Sequence, residues 1–133
     1  MTSSTAGAAL TQFAEAIDAQ DWPGLAALLA PGFTARYCHT GETFDAEAFV
    51  ALNRDYPGRW RFSAEIVVDG GTTGVIRALV TDATGLSDEA HYVATFGAVD
   101  ATGLLTSLDE VWAEVIAPPQ GERRPASPVG GRS

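Results

Sequence analysis

The sequence predicts an α+β fold, with helices gathered in the first half of the chain and antiparallel strands in the second. Two observations predict it. Up to Tyr56 most apolar residues recur at three- and four-residue spacing, the period of a helix face. From Arg59 onward apolar and polar residues alternate, and glycine-bearing turns return at the interval of a β-meander. A chain of 133 residues is one domain's worth, long enough for a core of its own.

The first helix is announced by Ser4 or Thr5 as cap, followed by Leu10, Phe13, Ala14 and Ile17 on one face, and it ends near Ala19 and Gln20. Asp21 caps a second, short helix with Pro23 in its first turn, carrying Leu25, Leu28 and Leu29 until Pro31 and Gly32 stop it. FTARYCH, residues 33–39, is rich in strand-forming types. Asp45 opens a third helix with Ala48, Phe49, Leu52 and Tyr56 facing inward, closed by Pro57 and Gly58.

Four strands follow. Trp60, Phe62, Ala64, Ile66 and Val68 alternate with polar residues up to the Gly70-Gly71 turn. GVIRALVTD leads to a turn around Gly85, and DEAHYVATFGAV leads to a turn from Asp100 to Gly103. LTSLDEVWAEV, residues 105–115, fits either period, but it arrives straight after a short turn, and consecutive strands usually pair. It reads as the last strand, with Leu108, Glu110 and Trp112 on one face. Residues 1–117 are expected to form the single domain. The Pro, Gly, Ser and Arg composition of 118–133 leaves almost nothing to bury and predicts a disordered tail.

Composition excludes several function classes. A formal charge of -9, with arginines scattered among acids, argues against a nucleic-acid partner. No apolar run approaches the roughly 20 residues of a membrane span. The N-terminus lacks the basic flank and apolar core of a signal peptide, which makes the cytoplasm the expected compartment, in keeping with the single cysteine. The chain has no lysine, so no lysine Schiff base to a carbonyl substrate or to pyridoxal phosphate can form. Phosphate-binding glycine loops, G-x-S-x-G, H-E-x-x-H and C-x-x-C are all missing, so no cofactor is expected.

The order helix, helix, strand, helix and four antiparallel strands, with DWPGLAALLAPGF near one end and TGLLTSLDEVWAEV at the other, resembles the nuclear transport factor 2-like superfamily, including ketosteroid isomerases and SnoaL-like polyketide cyclases. The likeness spans roughly residues 8–116. It implies a cone-shaped, curved antiparallel sheet wrapped around three N-terminal helices, and an apolar cavity faced by the last-strand tryptophan, Trp112. It also implies that the chain is not a ketosteroid isomerase. Those enzymes use a tyrosine and a protonated aspartic acid as oxyanion hole and an aspartate as base. Phe13, Thr95 and Tyr37 stand at these three positions.

Strand parity collects the polar groups available to such a cavity. Ala35, Tyr37 and His39 share one face of the first strand, His91, Val93 and Thr95 one face of the fourth, and Leu108, Glu110 and Trp112 one face of the last. Phe13, Ile17, Phe49, Leu52 and Tyr56 complete an apolar cup suited to a small molecule. Glu110 beside an indole loses hydration and titrates high, which fits a general acid or base; the plainer reading is a core carboxyl bonded to Tyr37 or a histidine. His39 and His91, the chain's two histidines, fit proton carriers or rim residues, and no third ligand at a recognisable spacing makes them a metal site. Tyr37 and Thr95 can donate to a ligand carbonyl or simply pack. Cys38 is expected on the convex side as a buried or interface thiol. The expected ligand is a small, mostly apolar, cyclic or polyketide-like molecule. Isomerisation, cyclisation or dehydration by proton transfer is one expected function, and non-catalytic binding or dimerisation is the other. Tyr92, Ala94, Phe96, Val111, Ala113 and Val115 form an apolar convex face, the expected homodimer contact.

Overall fold

The computed structural model describes residues 4–118, so the expected disordered tail lies almost wholly outside the described residues. Among the described residues there are three helices, α1 (Ala6–Ala19), α2 (Trp22–Ala27) and α3 (Ala46–Asp55), and six strands. The strands are β1 (Leu29–Tyr37), β2 (Thr43–Asp45), β3 (Trp60–Asp69), β4 (Thr73–Asp82), β5 (Ala90–Val99) and β6 (Leu105–Glu114). They make one curved sheet in the order β2-β1-β6-β5-β4-β3. No helix among the described residues is long and apolar enough to cross a membrane.

The caps follow the sequence. Thr5 accepts the Ala8 N–H, and Gln20 ends α1 in the left-handed region at φ 57°. Asp21 caps α2 through the Gly24 N–H, and Asp45 caps α3 through the Ala48 N–H. Helix α1 is tied to β3 at both ends. Asp69 accepts the Thr5 hydroxyl at 2.6 Å and the Gly7 N–H, while Asp18 accepts the Phe62 N–H at 2.8 Å and pairs with Arg61 at 2.9 Å. The Arg61 guanidinium holds the Asp18 carboxyl below its ordinary range. Gly97 in β5 lets α1 settle close: a Cβ there would lie 2.9 Å from Leu10 Cδ2 and 3.2 Å from Leu108 Cδ2.

Four expectations are corrected. The sheet is mixed, because β1 runs parallel to β6 while the other pairings are antiparallel. Helix α2 stops at Ala27: the Leu28 carbonyl accepts the Leu105 N–H, and Leu29 pairs with Leu105, so the sheet takes over a leucine that helical spacing had claimed. Strand β1 accordingly starts earlier than Phe33 and ends at Tyr37, leaving His39 in the turn beyond it. Alternation in β3 fails at a bulge between Ala64 and Ile66, after which Ile66, Val67 and Val68 are all exposed. The short β2, pairing with β1, had no alternation to announce it.

The core sits between the helices and the concave face of the sheet. Leu10, Phe13, Leu25, Phe33, Phe49, Phe62, Ile76, Val93, Leu105 and Leu108 fill it. Phe13 touches both Phe49 and Phe62, with ring centroids 6.2 and 6.0 Å away, and Phe33 closes on Phe49 at 5.7 Å. The narrow part of the cone is therefore solid aromatic packing.

Candidate functional site

The turns bring the C-terminal ends of β1, β4 and β6 beside the N-terminal ends of β3 and β5, at the end of the cone where α1 and α3 also finish. A pocket of about 330 Å³ opens there. Its walls carry Trp22, Tyr37, Tyr56, Trp60, Phe62 and Trp112, with His39, His91, Glu89 and Arg54 among the polar lining groups. All three tryptophans of the chain line it. Tyr37 and Trp112 lie 6.4 Å apart, Tyr56 and Trp60 6.4 Å, and His91 and Trp112 6.2 Å.

Glu110 lies beneath this wall. Register places it in one rung with Tyr37 of β1 on one side and Thr95 of β5 on the other. Its side chain is 2% exposed. The Trp112 indole N–H donates to one carboxyl oxygen at 3.1 Å, and the Thr95 hydroxyl donates to the other at 3.1 Å. Burial pushes its pKa up to about 7, against the downward pull of these two donors. Burial therefore favours the protonated carboxyl well beyond the ordinary range of a glutamate.

The Tyr37 phenol is forced well above its ordinary range by burial and by the neighbouring Glu110 and Glu42 charges. It stays a neutral O–H donor, and it makes no hydrogen bond to any described residue. Its ring stacks on His39 at 5.8 Å and meets Phe44 edge-on at 5.1 Å. The His91 Nε2 faces a Glu89 carboxyl oxygen at 3.7 Å.

The residues expected at the site divide into two groups. Tyr37, His39, His91, Trp112, Tyr56, Ile17 and Leu52 line the pocket. Phe13, Phe49, Thr95, Leu108 and Glu110 are closed into the core instead, because the aromatic cluster fills the cone beneath the pocket. Tyr56 lines the pocket from outside the core and is 60% exposed, against the inward position its helical spacing suggested; it follows α3 with extended backbone. Cys38 is exposed, not buried. Trp22 and Trp60 were missed as site residues. Trp60 shares strand parity with Phe62, and Trp22 stands at the first position of α2, so both positions were readable as mouth positions once the cone was in hand.

Among solved structures, a candidate ketosteroid isomerase from Kribbella flavida superposes with TM-score 0.77 at 23% identity, over 95% of this chain and 96% of that one. The chain has the nuclear transport factor 2-like fold. A nuclear transport factor 2-like protein of unknown function from Burkholderia xenovorans matches with TM-score 0.72 at 15% identity, over 84% of each chain. A protein of ketosteroid isomerase-like fold from Catenulispora acidiphila, solved in complex with trimethylamine, matches with TM-score 0.64 at 17% identity, over 77% of this chain and 82% of that one. No protein-family model matches the sequence, and no curated protein does.

Proposed function

We propose that the chain is a small-molecule-binding domain that takes one compact, mostly apolar, ring-bearing molecule in the pocket at the mouth of the cone, without a cofactor. The observation that carries this reading is the concentration of all three tryptophans around one open pocket in which the Tyr37 hydroxyl has no hydrogen-bond partner among the described residues. Aromatic walls supply contact area, and an unpartnered donor supplies orientation. The trimethylamine complex of the Catenulispora acidiphila protein is in keeping with small-molecule binding on this fold. A thermal-shift screen with steroids, aromatic polyketide intermediates, terpenoids and acyl thioesters tests it. A ligand at a hundredfold excess over its Kd adds about 2.7 kcal/mol of stability. A selective stabiliser is the expected result, and a flat response to every class would sink the reading.

One observation favours a second reading, proton transfer in the manner of an isomerase, cyclase or dehydratase. Glu110, its pKa raised by burial, shares a rung with Tyr37, and both imidazoles line the same pocket. In that reading Tyr37 donates to a substrate carbonyl, His39 or His91 carries the proton at the pocket surface, and Glu110 exchanges it from below. Binding without turnover ranks first because both Glu110 oxygens are engaged by protein donors behind Trp112. Once a ligand class is known, undiminished turnover by Glu110→Gln would remove Glu110 from the chemistry.

The domain pairs with a second copy in the cytoplasm through the convex sheet face, where Tyr92, Phe96, Val111 and Val115 stand exposed.

A further inference from the structure

We propose that the molecule held in this pocket carries an alkylated ammonium centre, a quaternary or fully substituted amine, seated against the rings of Trp60, Trp112, Tyr56 and Tyr37. This rests on the reading that the pocket is a ligand site and adds the charge of the ligand.

Three features of the lining point to a cation. First, two of the three tryptophans have already committed their indole N–H. The Trp60 indole N–H donates to the Pro57 carbonyl at 2.9 Å, and that of Trp112 donates to Glu110. What these rings offer a ligand is carbon surface, whose negative face attracts cations. Accepting the indole N–H, an ionised Glu110 adds electron density to the Trp112 ring and strengthens that attraction.

Second, the charge around the pocket is negative on balance. Among the described residues Arg54 is the sole arginine in the lining, and both its Nε and a terminal nitrogen are taken by Asp55 at 2.9 and 3.0 Å. Glu89 stands on the lining, Glu110 lies behind Trp112, and the chain as a whole carries -9. Such a field concentrates cations and disfavours a carboxylate or phosphate ligand.

Third, the size suits a compact head. At about 330 Å³ the pocket sits near the lower end of the roughly 300–1,000 Å³ seen for small-molecule sites. A bare metal ion or a primary ammonium needs converging oxygen ligands, and among the described residues this lining holds one carboxylate amid aromatic rings. An alkylated ammonium, wrapped in methyl or methylene groups, buries apolar surface and charge together.

The test compares choline with 3,3-dimethyl-1-butanol, its uncharged carbon isostere, by titration at pH 8 against the indole N–H resonances of the intact chain. The expected result is at least tenfold tighter binding of choline, with movement of the Trp60 and Trp112 signals. Tyr56→Leu, at a position too exposed to threaten folding, is expected to cut the choline-to-alcohol affinity ratio threefold or more. Equal or tighter binding of the alcohol would overturn the cation assignment and leave the pocket reading standing. So would failure of both probes alongside binding of a neutral ring compound from the thermal-shift panel. Failure of every compound would overturn both.

Discussion

Replacing Glu110 by Gln should change how stability depends on pH, and the size of the change follows from the carboxyl's surroundings. In the unfolded chain the group titrates at its ordinary value of 4.5, and in the fold at about 7. Between these values the unfolded chain has released a proton that the folded chain still holds, so stability falls as pH rises. The contribution is fully present below 4.5 and fully lost above about 7. The loss across this window amounts to about 3 kcal/mol. Gln keeps the shape and can still accept from Trp112 and bond Thr95, but it cannot ionise. The other titrating groups, including the depressed Asp18 and Asp69, are common to both proteins and cancel in the difference. Urea unfolding of both proteins at several pH values from 4.5 to 8, at one fixed protein concentration, provides the assay. With m-values of about 1–3 kcal/mol/M, the gap between the two midpoints should grow by about 1–3 M in favour of the Gln variant as pH rises. Parallel pH profiles would refute the buried, shifted carboxyl.

Three further outcomes are expected. Trp112→Phe removes the indole donor while keeping a ring, so the Glu110 carboxyl, followed by carbon NMR, should titrate above its value of about 7 in the native chain; a fixed midpoint would mean that the Nε1–Oε1 bond does nothing. Phe13→Ala empties the centre of the aromatic cluster and should cost about 3–5 kcal/mol in urea unfolding, because the rings of Phe49 and Phe62 lose their shared partner. Phe96→Glu places a charge on the convex face, 50% exposed in the isolated chain. Sedimentation should show the native protein at about twice 13.9 kDa and the variant at 13.9 kDa; a native protein that sediments at 13.9 kDa refutes pairing.

Where local chemistry decided the structure, the sequence was readable. Asp21 and Asp45 named their helices because a carboxylate before a helical run has one evident use, and the Gly-rich turns located every hairpin of the meander. LTSLDEVWAEV was ambiguous by periodicity, and the short preceding turn decided it correctly as β6. The failures were tertiary. Leu29 has helical spacing from Leu25, yet a parallel partner 76 positions away holds it in β1. Parity placed Glu110, Thr95 and Leu108 on the concave face, and they are there. Parity could not say how far down the cone the packing reaches, which depends on Phe13, Phe33, Phe49 and Phe62 meeting across four different elements. Trp22 escaped notice because it stands at an element's first residue, where periodicity is weakest, and Trp60, although it opens the β3 alternation, carried no signal that the open end of the cone lies there.

The most direct measurement uses the three indole N–H resonances of the nitrogen-15-labelled chain, since every tryptophan borders the same pocket. A compound that stabilises the protein in the thermal-shift screen should perturb all three indole signals together, saturating with one common Kd. A stabilising compound that leaves the three indoles unmoved would place its binding elsewhere and contradict the assignment of this pocket as the functional site.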